Sequence, residues 1–248
     1  MQPPFQEIQR IVVDRDRCPY LPDRSSEMEF EFIVELSASL YQRRLARGWR
    51  RQGMCLFRPV CRHCQACVSL RLPVHRFSAT RSQRRAMKRN AGLHLEVREP
   101  EVTPAHLDLF NHYHADMNSR RGWEYDTATA SDYFEGFLSG RNEFAREFAY
   151  FEDRRLVAVG LVDCLDECAS SIYFYHDPLL RHRSLGTYSL LREIEHARDE
   201  GRQYHYLGYW IRDCGSMEYK SRFGPHELLT GLVVDDDDRP EWRPASSP

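Results

Sequence analysis

The order of elements in the second half restricts the fold most. Leu156-Val-Ala-Val-Gly-Leu-Val-Asp163 reads as a strand, and after a polar break Ser170-Ser-Ile-Tyr-Phe-Tyr-His176 reads as a second. Asp177-Pro178 ends it. Leu185-Gly-Thr-Tyr-Ser-Leu-Leu-Arg-Glu-Ile-Glu-His-Ala-Arg198 has helical spacing and is closed by Gly201, and Tyr204-His-Tyr-Leu-Gly208 follows as a third strand. The chain therefore makes a hairpin and then a helical crossover to another strand.

That order is the central unit of acyl-transfer enzymes of the GNAT-like acetyltransferase class. The expected fold is α/β (α+β), with a GNAT-like acyltransferase core in the C-terminal half and a Cys-containing basic N-terminal region. Ordinary members bind acetyl-CoA with a Gln/Arg-x-x-Gly-x-Gly/Ala turn at the start of the long helix, where small residues let backbone N–H groups close on the pyrophosphate. This chain has Arg183-Ser-Leu-Gly186-Thr-Tyr188 there. The Tyr188 ring is expected to obstruct the pyrophosphate, which argues for a different acyl donor. A CoA-dependent N-acetyltransferase stands as an alternative.

Charge adds the next constraint. From Leu36 to Leu95 there are sixty residues without an Asp or Glu, and they carry fourteen Lys plus Arg. The whole chain has net charge −2, so the remainder sums to −2 − 14 = −16. A positive block of that size on an acidic chain suits a polyanion such as RNA or DNA. Glu27 to Arg47 reads as a helix, Met54 to Phe57 and Cys67 to Pro73 as strands, Ser82 to Asn90 as a short basic helix, and Leu93 to Arg98 as another strand. A capped helix opens at Thr103-Pro-Ala-His and runs to about Met117, and another spans Ala130 to Leu138. The chain divides as 1–100 (Cys-containing and basic), 101–234 (catalytic) and 235–248 (a disordered acidic and Pro-containing tail). No apolar run approaches the ~20 residues of a membrane helix, and the N-terminus lacks a signal-peptide pattern, so a cytoplasmic protein without a membrane partner is expected.

Three clusters carry chemistry. Cys61-x2-Cys64-x2-Cys67, with Cys18 or Cys55 as a fourth thiol, has ligand-like spacing for zinc or an iron–sulfur cluster. The triple spacing differs from a paired zinc ribbon, and buried or redox-active thiols are the other reading. On the basic helix Arg81, Arg84, Arg85 and Lys88 share one side, a ridge for phosphates or an anionic side chain, or simply a solvated surface. Tyr204-His-Tyr-Leu-Gly-Tyr-Trp-Ile211 places four aromatics at a strand end, where a base or an acyl pocket is expected unless they form core.

Together these segments resemble the bacterial aspartate/glutamate leucyltransferases of the arginyl-tRNA–protein transferase family. The resemblance is carried by Cys18-Pro-Tyr-Leu-Pro-Asp23, Arg58-Pro-Val-Cys-Arg-His-Cys-Gln-Ala-Cys-Val-Ser-Leu-Arg71, Ser82-Gln-Arg-Arg85, Asp177 through Tyr188, Tyr206-Leu-Gly-Tyr-Trp-Ile211 and Met217 to Phe223. It implies transfer of an aminoacyl group from tRNA to the N-terminal Asp or Glu of a protein, marking it for degradation by an N-degron pathway. Leucyl transfer is preferred over arginyl, because arginine would need a carboxylate facing it; Asp163, Asp213 and Glu218 keep arginine open. The expected catalytic residues are Tyr175, Tyr209 and Lys220. Arg71, Arg84, Arg85, Lys88, Tyr206, Trp210 and Arg222 are expected to bind substrate, and Cys18, Cys61, Cys64 and Cys67 to hold any metal. No cofactor is required for the chemistry, since the tRNA ester is already activated. A non-catalytic metal-dependent RNA-binding protein is the reading from another class.

Overall fold

In the computed structural model, residues 7–33, 35–140, 143–212, 214–233 and 239–245 are described. The first half supplies β1 (Glu7–Arg15), β2 (Ser26–Ile33), α1 (Ala38–Ala46), β3 (Arg50–Gln52), β4 (Cys55–Pro59), β5 (Val68–Pro73), α2 (Arg81–Arg89) and β6 (His94–Arg98). The second adds α3 (Pro104–Arg121), α4 (Ala130–Tyr133), β7 (Ala145–Glu152), β8 (Arg155–Cys164), β9 (Cys168–His176), α5 (Leu185–Asp199), β10 (Tyr204–Trp210), β11 (Glu227–Leu229) and β12 (Trp242–Pro244).

The strands form two sheets. The smaller is antiparallel in the order β1-β2-β4-β3, and the larger runs β12-β11-β5-β10-β9-β8-β7-β6. Among the described residues β9 and β10 are the one parallel pair, because α5 carries the chain back between them. On one face of the large sheet, Leu185, Leu191 and Ile194 of α5 pack on Leu70, Leu72, Val157 and Leu207. On the other, Leu109 and Phe110 of α3 and Tyr133 of α4 cover Ala149, Val159 and Tyr175. Beside them Tyr41 and Leu45 of α1 pack with Trp49 and Leu56 against Cys168 and Tyr206. This is the α/β acyltransferase layout expected from the strand–strand–helix–strand order.

One element differs outright from the sequence reading. The helix expected over Glu27 to Arg47 is the strand β2 followed by the shorter helix α1. The apolar spacing misled because β2 buries carboxylates: Glu29 and Glu31 face inward, while Phe32 faces out. Burial of those acids is permitted by matched arginines. Glu29 pairs with Arg58 at 2.6 Å, and Glu31 with Arg44 at 3.1 Å and with Arg10. Arg58 and Arg44 also lie over the Trp49 ring, at 4.4 and 5.4 Å from its centre. The strands β1, β3, β7, β11 and β12 were not foreseen. β12 comes from the stretch read as a disordered tail: the Trp242 indole donates to the Ala46 carbonyl at 3.0 Å and packs against Tyr206.

The basic stretch therefore has two parts. Arg44, Arg51, Arg58 and Arg71 are spent on ion pairs inside the protein. The cations of α2 are exposed, and among the described residues Arg81, Arg84, Arg85, Lys88 and Arg89 face no carboxylate partner. That helix is firmly seated. Thr80 and Gln83 cap it reciprocally, the Gln83 amide donates to the Arg222 carbonyl at 3.1 Å, and Asn90 and Arg183 are hydrogen-bonded to each other.

Candidate active site where two strands part

β9 and β10 pair through Tyr204–Cys168, His205–Ala169 and Tyr206–Ser170, and the ladder ends there. Both strands bulge just beyond. β9 carries an extra residue, Ile172, against β8, and β10 carries an extra residue, Leu207, against β5. A bulge bends its strand, so the two diverge toward their C-terminal ends. The facing edges keep main-chain N–H and C=O groups without a ladder partner. Such a row of fixed N–H dipoles is suited to a carbonyl oxygen that gains negative charge. The parting lies toward the C-terminal ends of two parallel strands, where open α/β sheets place ligands.

A buried polar network flanks the parting on the α5 side. The Ser171 hydroxyl donates to Glu193 Oε2 at 2.5 Å and lies 2.8 Å from His205 Nε2, while Ser189 donates to Glu193 Oε1 at 2.9 Å. This is not a nucleophilic triad. Ser171 and Glu193 both approach His205 Nε2, and His205 Nδ1 has no partner, whereas a triad needs serine and acid on opposite ring nitrogens. On the α3 side, His114 Nε2 is 2.8 Å from the Tyr173 hydroxyl, and its ring lies between those of Tyr125 and Tyr173. Burial holds the His114 pKa below the usual histidine range.

Two cations stand beside the parting on the small-sheet side. Arg50 is 4% exposed, and its guanidinium lies 5.3 and 5.6 Å from the ring centres of Tyr206 and Tyr209. Lys220, 7% exposed, donates to the Tyr209 carbonyl at 2.6 Å. Burial first, and the Arg50 charge second, pull its amine down to about 7. A cavity of about 480 Å³ is lined by Phe30, Phe57, Val68, Tyr209 and Leu229 and by Cys18, Cys61, Cys64 and Cys67; it meets the surroundings of the two cations only through Ser69 and Tyr209, each in contact with Arg50.

The expected site residues scatter accordingly. Lys220, Tyr206, Tyr209 and Trp210 gather on and around β10. The Tyr209 hydroxyl is committed to the Gly48 and Phe57 carbonyls at 2.7 and 3.2 Å, and burial raises its pKa. Tyr175 is turned away from solvent: it is 0% exposed under α3 and α4, its hydroxyl 2.7 Å from that of Tyr133. Arg71 is held by Glu227 and stacks on Tyr204 and Trp242. Arg84, Arg85 and Lys88 form the exposed ridge of α2, and Arg222 is exposed beside Glu218. Tyr188 does not obstruct anything. It is 4% exposed and packs on Tyr150 in the α5 core, since its helix position faces the sheet. Arg50 was missed because only its lack of an acid opposite marks it.

The thiols do come together. Cys67 is pushed up to about 12, by burial first and then by Cys18, Cys61, Cys64 and Cys214 around it. Cys214 was not foreseen in this group. Among the described residues no three of these sulfurs lie within 4.8 Å of one another. The donors suit a soft cation in kind, but as placed they do not close on one. His63 is exposed.

Two family profiles match the chain: Arginine-tRNA-protein transferase, N terminus, over residues 16–85, and Arginine-tRNA-protein transferase, C terminus, over residues 105–230. The chain belongs to the arginine-tRNA-protein transferase family. Among relatives, an aspartate/glutamate leucyltransferase of Helicobacter hepaticus is 38% identical over 215 residues, covering 87% of this chain and 89% of the relative. One from Campylobacter jejuni is 36% identical over 216 residues, with 87% and 90% coverage. One from Nitrosococcus oceani is 39% identical over 214 residues, with 85% and 88% coverage. Solved structures give a remoter likeness: FemX overlays with a TM-score of 0.46 at 11% identity, covering 70% of this chain and 60% of FemX. A member of this transferase family is an aminoacyltransferase, and β10 with the Met217–Phe223 turn lies inside the C-terminal profile. Among the described residues no helix is long and apolar enough to cross a membrane.

Proposed function

We propose that this cytoplasmic protein transfers leucine from leucyl-tRNA to the α-amine of proteins that begin with Asp or Glu. The observation that carries the site is the parting of β9 and β10 where each strand bulges in its outer ladder, β9 against β8 and β10 against β5. In the reaction the neutral amine attacks the ester carbonyl, and a C–N bond forms. The carbonyl oxygen takes the negative charge against main-chain N–H groups of the parted edges. The intermediate then collapses, the C–O bond to the ribose breaks, and the amine's proton goes to the departing ribose hydroxyl. The α-amine has a pKa near ~8 and is partly neutral at pH 7, so alignment and oxyanion stabilisation supply most of the acceleration.

The donor preference has a structural support. Of the acids that could have greeted an arginyl side chain, Asp163 is buried and paired with Arg51 at 2.7 Å, and Glu218 is exposed and paired with Arg222; Asp213 lies outside the described residues. Arg84, Arg85 and Lys88 are assigned to tRNA phosphates. The thiols are assigned to structure or redox sensitivity and not to a nucleophile. If zinc or an iron–sulfur cluster binds them, it serves to draw them together. Purified protein, charged tRNA and a peptide beginning with Asp or Glu test the reading: labelled leucine is expected on the peptide. Label from arginyl-tRNA but not leucyl-tRNA would reverse the donor, and label from neither would overturn the function.

A further inference from the structure

We propose that Arg50 and Lys220, facing each other across Gly208, form the pocket that takes the side-chain carboxylate of the acceptor's N-terminal Asp or Glu. The assignment rests on the acceptor named above and adds how it is selected.

Both cations are buried, and among the described residues neither pairs with a carboxylate. Every other buried arginine here does: Arg44 with Glu31, Arg51 with Asp163, Arg58 with Glu29. Arg50 is held only by long hydrogen bonds and by the Tyr206 and Tyr209 rings. Its Nη1 donates to the Trp49 carbonyl at 3.3 Å and its Nη2 to the Ser69 hydroxyl at 3.5 Å, while Nε has no partner. Lys220 uses one N–H on the Tyr209 carbonyl, which leaves two. The spare donors converge on one place. A Cβ built on Gly208 would stand 3.3 Å from Lys220 Nζ and 3.8 Å from Arg50 Nε. The missing side chain lets both cations close over the bare backbone at those distances, and Gly208 holds φ +85°, a conformation other residues rarely adopt.

The pair lies over Gly208 of β10, beside the Leu207 bulge, where the strands part. A buried charge without a counter-charge is unfavourable, and two of like sign more so. An arriving carboxylate relieves both. Asp carries its carboxylate one methylene from the Cα that bears the attacking amine, and Glu two, so either acid can meet the two cations from a substrate bound at the parting. Asn and Gln match them in shape but bring no charge. The rival anions are a tRNA phosphate and the nearby thiols Cys67 and Cys214, which face Lys220.

The test uses full-length Lys220→Gln and Arg50→Gln with peptides beginning Asp, Glu, Asn or Gln. Wild type is expected to favour Asp over Asn strongly in kcat/KM. Each variant is expected to shrink that ratio at least tenfold, through peptide KM, with the leucyl-tRNA KM unchanged. An Asp- or Glu-dipeptide without tRNA should raise the thermal midpoint of wild type and not of the variants. Equal losses on Asp and Asn peptides, or a loss carried by the leucyl-tRNA KM, would overturn the pocket, the latter in favour of a phosphate. Unchanged selectivity in folded variants would overturn it in favour of the thiols. Because the dipeptide shift is read without tRNA, a protein that binds Asp-dipeptide but moves no leucine would fail the function and keep the pocket; no shift in wild type would remove the pocket.

Discussion

Arg50 and Arg51 are neighbours on one three-residue strand, and their surroundings are opposite. Arg51 meets Asp163 through two bonds, of 2.8 and 2.7 Å, and donates a third to the Gly53 carbonyl at 2.8 Å. Both charged groups are almost fully buried, and they join the small sheet to the end of β8. Arg50 points the other way along the pleat and finds aromatic faces, a hydroxyl, a carbonyl and a second cation. One guanidinium is finished within the fold; the other is complete only with an anion from outside. The residue type and the burial are the same, so only the group opposite separates a fastener from a receptor.

The comparison can be strained from both sides. The largest effect should come from Asp163→Ala, which leaves Arg51 buried and unpaired, at about 3–5 kcal/mol of stability by urea unfolding. Adding Arg51→Met should recover most of that loss. A cost for Asp163→Ala comparable to a surface change would erase the distinction between the two arginines.

The next effect is a slope. The Lys220 pKa is depressed from 10.5 to about 7 in the fold. Between those values the unfolded chain binds more protons than the folded one, so this group makes stability rise with pH across that window and lowers it below. Lys220→Met should flatten the rise and be no less stable than wild type at pH 7. A parallel pH profile for the two proteins would mean that the amine is not held in a charge-averse place.

The smallest effect on the fold belongs to the exposed charges of α2. Arg84→Ala, Arg85→Ala and Lys88→Ala should each change stability by no more than about 0.5 kcal/mol. Each should also weaken tRNA binding and lower its salt dependence by about one counterion. If binding and its salt slope stay fixed, the ridge is solvated surface and the tRNA lies elsewhere.

Much of the frame was legible from the chain. The β8–β9–α5–β10 order was readable because apolar period and punctuation agree there: Gly201 closes the helix and Asp177-Pro178 closes the strand. The β2 region was not, since Glu29 and Glu31 occupy buried positions that a pattern reading assigns to solvent. Their arginine partners lie 13 residues or more away in sequence. β7 was missed although Phe148 and Tyr150 alternate with Glu147 and Ala149. Burial on both faces blurs a strand's period-two contrast. At the site, the aromatic run of β10 and Lys220 were marked by their clustering. Tyr175 lies under α3 and α4 because the Ile172 bulge resets which face the later residues of β9 occupy, and a bulge leaves no mark in the apolar pattern. Arg50 could not be singled out among fourteen similar cations of its stretch, since its property is the lack of something opposite it in space.

β5 sits between β10 and β11 in the large sheet, and that placement sets a schedule for synthesis. Residues 68–73 leave the ribosome long before residues 204–210 and 227–229, which cover both of their edges. Until those late strands arrive, β5 presents two bare hydrogen-bonding edges on a growing chain. A ribosome stalled before residue 204 would hold a chain whose β5 edges are both open, and the finished transferase is the first form in which that strand is safely paired.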